Sequence, residues 1–174
     1  MPARKQKDTD MKEIINGHEI EIKSELSPQI IEFLIDSHKS IFDKEFHFNP
    51  IFFEMVGKTI TEFGKDFNPE KDFTLIAYVD GEKMGSISGI GRENGNVQLR
   101  FYFLHEGARG MKLGKKLFVA AMDKCKEMGY NHIFFHTFYR KYNYFVIHLK
   151  QLMMDRMLIC TSQNSFRIAQ SFSF

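Results

Sequence analysis

Residues 97–138 read VQLRFYFLHEGARGMKLGKKLFVAAMDKCKEMGYNHIFFHTF, and the change of period along this stretch decides the fold. Val97–Leu104 is rich in aromatic and apolar residues and follows Asn94-Gly95, a hairpin turn signal, so it reads as a strand. Gly107-Ala108-Arg109-Gly110-Met111-Lys112-Leu113-Gly114 is a basic, glycine-bearing turn. From there the period becomes helical. Leu113, Leu117, Ala120, Ala121, Cys125 and Met128 share one face, with Lys115, Lys116, Asp123, Lys126 and Glu127 on the other. Gly129 is a natural helix terminator, and Ile133–Phe138 is a further strand. A strand, crossover helix and strand predict a right-handed unit in which Ile133–Phe138 lies parallel to Val97–Leu104.

Working outward, Phe73–Val79 and Met84–Ile90 are strands joined at Asp80-Gly81, the second weakened by Gly85 and Gly89. Earlier still, His18–Lys23 alternates as a half-exposed strand. Ser27-Pro28 opens a helix with the stripe Ile31, Leu34, Ile35, His38 and Phe42. Asn49-Pro50 opens another, carrying Phe52, Met55, Val56, Ile60 and Phe63 as far as Gly64. An antiparallel meander feeding one parallel unit is an α+β fold: a mixed, mainly antiparallel sheet with helices on both faces. Residues 1–12 read as a mobile tail, residues 13–174 as a single domain, and residues 137–174 as an atypical C-terminal segment of it.

Composition narrows the function classes. The 43% hydrophobic and 26% charged content is that of a globular domain, not a disordered one. A formal net charge of +2 gives no bulk electrostatic case for nucleic acid. Cys125 and Cys160 match no zinc or redox spacing, so no metal site is expected. No apolar run reaches about 18 residues, which leads us to expect a soluble, cytoplasmic protein without a membrane partner.

The 107–116 turn has the chemistry of an anion site. Helix-terminal amides point at it, glycines keep side chains out of the way, and Arg109, Lys112, Lys115 and Lys116 attract negative charge. An ordinary turn with a solvated basic face is the plain alternative. Two common phosphate loops do not fit. A Walker loop needs Gly at position 109 and Ser or Thr at 116, where Arg and Lys stand, and glycines at 107, 110 and 114 are not a GxGxxG.

Arg109-Gly110-Met111-Lys112-Leu113-Gly114 does resemble the coenzyme A motif of the GNAT superfamily of N-acetyltransferases, Q/R-x-x-G-x-G/A, with Lys112 in place of the central glycine. The strand before, the helix after and Gly129-Tyr130 agree with that family. Ile20 to Thr137 looks most like the acetyltransferase half of proteins that fuse a winged-helix domain to a GNAT domain, and with no winged-helix half here the resemblance implies no DNA binding. It implies acetyl-CoA as acyl donor and direct transfer to an amine of a small molecule or peptide. The backbone of Phe103 and Leu104 would pair with the pantetheine arm. The pyrophosphate would lie on Arg109, Gly110, Met111, Lys112, Leu113, Gly114 and Lys115, with Gly114 where the backbone approaches the diphosphate. A backbone amide near Leu104 would serve the oxyanion.

Acid and base are less determined. His38, Glu45, His105, Glu106 and His136 have suitable chemistry, and Glu45 and His38 are taken as catalytic candidates that shape the acceptor pocket. The family's usual general acid is a tyrosine in an L-Y-x-x-x-G-F helix end, and Lys150 falls at that place. Tyr139, Tyr142 and Tyr144 are one to two turns early, and Leu158–Thr161 and Phe166–Phe174 alternate as short strands. This departure suggests a shift of reading frame after Thr137, or a divergent end. It also leaves open a catalytically weak acyl-CoA-binding module, and a Phe-rich tail that docks a partner or a second copy as a homodimer.

Overall fold

The computed structural model describes residues 11–46, 50–135 and 167–170 of the 174-residue chain. Its elements in order are β1 (Met11–Ile15), β2 (His18–Ser24), α1 (Pro28–Phe46), α2 (Pro50–Asp66), β3 (Phe73–Val79), β4 (Glu82–Gly91), β5 (Asn96–Leu104), α3 (Leu113–Glu127), β6 (His132–Phe135) and β7 (Arg167–Gln170). The strands form one seven-stranded sheet in sequential order. Pairings are antiparallel from β1 to β5 and parallel from β5 to β6 to β7. The predicted parallel pairing runs in the register Asn96↔His132 through Leu99↔Phe135.

Local chemistry explains the turns. Asp80 and Gly81 have φ of 49° and 82°, the doubly positive pair of a tight hairpin. Asn16 and Gly17 repeat this at 51° and 84°, which makes β1 the partner of β2. Met11 and Lys12, expected at the end of a mobile tail, are therefore strand residues. Asn94-Gly95 turns through a short 3-10 segment, with Asn94 at φ 59°. The Ser27 hydroxyl accepts the Ile30 N–H at 3.2 Å and caps α1, whose first residue is Pro28.

Helices cover both faces, as expected. Leu75, Ala77, Ile87, Val97 and Leu99 meet α3 through Leu113, Leu117, Phe118, Ala121, Met122 and Cys125. Ile76, Phe101 and Phe103 meet Ile30 and Leu34 of α1 and Ile60 and Phe63 of α2 on the other face. Each fully buried Leu or Ile among them stabilises the fold by about 1.5–3 kcal/mol. Three helix details depart from the periodicity reading. The buried stripe of α1 is Ile30, Leu34, Ser37 and His38, rotated from Ile31 and Ile35 because two helices, not one, share that face of the sheet. In α2, Met55 is 57% exposed and the helix runs through Gly64 to Asp66. In α3, Phe118, Met122 and Lys124 are also buried, since the helix is wedged against three strands.

The β5 strand is irregular in a way that shapes the site. Ser88 pairs with Arg100 but Ser86 pairs with Phe103, so Phe101 and Tyr102 together oppose Ile87. Phe101 has φ 53°, the left-handed conformation that absorbs the extra residue of a β-bulge. Side chains alternate with period 2, so one inserted residue exchanges the faces. Val97 and Leu99 pack toward α3, whereas beyond the bulge it is Tyr102 and Leu104 that do so. Phe101 and Phe103 are delivered to the α1/α2 side.

Candidate active site

The bulge divides β5 into two halves whose side chains alternate in opposite phase. Asn96–Leu99 is paired on both edges, with β4 and β6. The described part of β6 ends at Phe135, opposite Leu99, while β4 continues to hold Phe103 and Leu104 through Ser86 and Gly85. Among the described residues, the second edge of Phe101–Leu104 thus carries no strand partner. A bulky residue at positive φ is strained, and such strain persists where the surrounding packing over-determines it. Here the packing is aromatic: the His38 ring stands edge-on to Phe101 and Phe103 at centroid distances of 5.7 and 5.0 Å.

The turn that follows leads the chain from the end of β5 to the start of α3. Glu106–Ala108 forms a 3-10 turn closed by Ala108 N–H to His105 C=O and Arg109 N–H to Glu106 C=O, both 3.0 Å. Gly110 and Lys112 take φ of 86° and 57°. Lys112 is the N-cap residue of α3, and the Lys116 N–H bonds its carbonyl at 3.2 Å. The amides just before Lys116 precede the helical ladder and face the turn, the arrangement that attracts an anion. Arg109, Gly110, Lys112 and Lys115 are exposed, Met111 and Gly114 are half-buried, and Leu113 is fully buried in the α3 core. The Arg109 guanidinium reaches back to the Leu104 carbonyl at 3.4 Å. Lys116, counted among the basic groups of the turn, is instead paired with the Glu13 carboxylate of β1 at 2.7 Å.

Gly114, expected beside the diphosphate, also lies close against β5. A Cβ built there would stand 3.0 Å from both Leu104 Cδ1 and Tyr102 Oη. It points toward β5, so any larger residue would make Leu104 or Tyr102 give by a few tenths of an ångström. The Tyr102 hydroxyl donates to the Gly114 carbonyl at 3.0 Å across that contact.

The histidines separate clearly. His38 is 7% exposed, donates Nδ1–H to the Leu34 carbonyl at 2.8 Å, and is pushed down to about 4 by burial. Burial keeps the ring neutral at pH 7, where it packs against Phe101 and Phe103. Glu45 lies on α1, but its side chain is outside the described residues, as are His136 and the tyrosines at 139, 142 and 144. Lys150 and the expected strand Leu158–Thr161 also lie outside them, while within the expected strand Phe166–Phe174 the segment Arg167–Gln170 is a strand parallel to β6. His105 closes β5 and is half-buried, its Nε2 2.9 Å from the hydroxyl of Ser37 on α1. Ser37, 3% exposed, was not legible as a site residue, because a lone serine in a helix carries no positional signal.

The profile of the Acetyltransferase (GNAT) family matches residues 31–149. This chain belongs to that family. No curated protein matches the sequence. Solved structures share the fold at low identity. A GNAT-family acetyltransferase from Staphylococcus aureus Mu50 is 21% identical with a TM-score of 0.60, over 74% of this chain and 79% of its own. The PaiA N-acetyltransferase of Thermoplasma acidophilum, solved in complex with coenzyme A, is 17% identical with a TM-score of 0.57, over 75% of this chain and 87% of its own. An aminoglycoside acetyltransferase from an uncultured soil metagenomic sample, solved with sisomicin, is 14% identical with a TM-score of 0.56, over 76% of this chain and 86% of its own.

Other features of this GNAT domain lie apart from the Phe101–Leu104 end of β5. An open groove of about 810 Å³, lined by Lys71, Arg92, Asn94, Asn96 and Tyr130 among others, is at the opposite end of β5 from Leu104. Among the described residues there is no cluster of three or more His, Cys, Asp or Glu that could hold a metal ion. None of the described helices is long and apolar enough to cross a membrane. Cys125 is fully buried, and burial pushes its thiol up to about 12, so it is a core residue and not a nucleophile.

Proposed function

We propose that this GNAT-family protein is a cytoplasmic N-acetyltransferase that moves an acetyl group from acetyl-CoA directly to an amine of a small molecule or peptide. The observation that carries the reading is the run from Phe101–Leu104 of β5 through the glycine turn, with Gly110 and Lys112 at positive φ, into the first turn of α3. Those residues fit the co-substrate on chemical grounds. An amide-bearing pantetheine arm can hydrogen-bond a strand edge, and a diphosphate suits unladdered helix-terminal amides.

In this reading the main chain of Phe103 and Leu104 holds the arm. The segment Arg109–Lys115 holds the diphosphate, with Arg109, Lys112 and Lys115 supplying charge. Acetyl-CoA supplies an activated thioester carbonyl. The Leu104 amide donates to the oxygen of that carbonyl as negative charge develops on it. Lys112 is compatible with this site although the family pattern has glycine there. It occupies the left-handed position that favours glycine, and its side chain is turned to solvent. His38 acts by holding Phe101 and Phe103, and so the bulge.

The test is thiol release from acetyl-CoA over a panel of small amines and short peptides with free amino termini, alongside calorimetric titration with coenzyme A. Binding with turnover of at least one amine supports the assignment. Binding without turnover of any would leave an acyl-CoA-binding module, and absence of binding would overturn the reading.

A further inference from the structure

We propose that His105, held by Ser37, is the general base that takes the proton from the acceptor amine. The inference rests on the acyl-CoA reading above and adds the group that reading lacks. His105 follows Leu104, the residue whose amide faces the developing oxyanion in that reading. Its backbone is pinned by a 2.8 Å hydrogen bond from its own N–H to the Met84 carbonyl. Its ring packs against Phe33 of α1 and Phe103 of β5 at centroid distances of 5.9 and 5.8 Å. One ring nitrogen, Nε2, is engaged by Ser37 at 2.9 Å, and Nδ1 has no partner among the described residues. A half-buried imidazole with one nitrogen anchored and the other without a partner among the described residues, directly after Leu104, is arranged for proton transfer.

The charged groups around it favour the neutral ring. Desolvation and then the Arg109 guanidinium hold His105 below its ordinary value of 6.5, so it is unprotonated at neutral pH. Lys44 of α1 is paired with Glu106 at 2.9 Å, and Lys83 of β4 lies 5.7 Å from the Phe33 ring centroid. In the step itself the amine nitrogen bonds the thioester carbonyl carbon while its proton passes to Nδ1. The C–S bond then breaks and the sulfur leaves as a thiolate. The imidazolium, stabilised by donating Nε2–H to the Ser37 hydroxyl, returns the proton to that thiolate.

The affinity label bromoacetyl-CoA tests this without knowledge of the acceptor. It carries an alkyl bromide at the acyl position, where an unprotonated imidazole nitrogen displaces bromide to form a stable N–C bond. The expected result is alkylation of His105 at Nδ1, blocked by excess coenzyme A, with a rate that falls as pH drops through a midpoint below 6.5. Ser37→Ala should release Nε2 and give both alkylated isomers. His105→Gln should lose the label while binding coenzyme A within about threefold of the parent, a tenfold change being roughly 1.4 kcal/mol. If coenzyme A binds and the label goes elsewhere or nowhere, the base is not His105. If coenzyme A does not bind the parent at all, the underlying reading fails and the base with it. Should His105→Gln not fold, the parent's labelling position and pH midpoint still decide the matter.

Discussion

The Tyr102 hydroxyl donates to the Gly114 carbonyl at 3.0 Å, and a Cβ on Gly114 would stand 3.0 Å from the same oxygen. The strand beyond the bulge and the first turn of α3 therefore lie so close that a side chain at 114 would press on Leu104 and Tyr102. Burial raises the Tyr102 phenol well above its usual value, so it remains a donor at any physiological pH. Gly114→Val should push Leu104 and Tyr102 away and lose about 1–3 kcal/mol of stability, with weaker coenzyme A binding as the turn moves off β5. Tyr102→Phe should lose about 1 kcal/mol without crowding. Urea unfolding of both variants, with calorimetric titration, checks this; a Gly114→Val variant as stable as the parent would contradict the packing role.

Lys112 stands at φ 57° as the N-cap of α3. Left-handed backbone costs an L-residue about 1–2 kcal/mol, whereas glycine costs about 0.5–1 kcal/mol in unfolded-state entropy. Lys112→Gly should therefore stabilise the fold by a net ~0.5 kcal/mol. If the ammonium also attracts the diphosphate, coenzyme affinity should fall in this variant, and more at low salt, where screening is weak. Denaturation midpoints and titrations at two ionic strengths separate the two effects.

Stability should depend on pH through His38. The unfolded chain binds a proton near 6.5, but the folded protein does so only near 4, because burial opposes the charged ring. Between those values the unfolded state holds more protons, so stability falls as pH drops from 6.5 towards 4, by up to about 3 kcal/mol. His38→Leu should flatten this part of the profile. Urea midpoints measured from pH 4 to 7 give the comparison, and an unchanged slope would mean that His38 is not the buried neutral group described.

Acetyl-CoA should raise the melting temperature by binding the native state alone, corresponding to about 2.7 kcal/mol at a hundredfold excess over Kd. ATP and NAD lack the pantetheine arm that the strand edge would hold, and should shift it less. Equal shifts in a thermal melt would point to a nucleotide site of another kind.

Most of the architecture was written in local signals. Asp80-Gly81, Asn94-Gly95, Ser27-Pro28 and Gly129 punctuate the chain, and the period between them distinguishes strand from helix. The glycine turn and its family likeness were legible because backbone conformation demands particular residues there. Contact across the fold was not legible. A strict alternation along Val97, Leu99, Phe101 and Phe103 puts all four on one face, yet the bulge at Phe101 sends the last two to the other. Nothing local announces a positive φ at phenylalanine; packing of α1 and α2 around it, His38 included, holds it there. The same holds for Ser37 and His105, 68 positions apart, which meet only because α1 lies over the end of β5. The sequence alone determined the element order, the parallel unit and the basic turn, because those follow from neighbours along the chain. Which way the side chains beyond Phe101 face, which way Gly114 faces and which histidine meets Ser37 were decided by tertiary structure, because each depends on the packing of elements far apart in sequence.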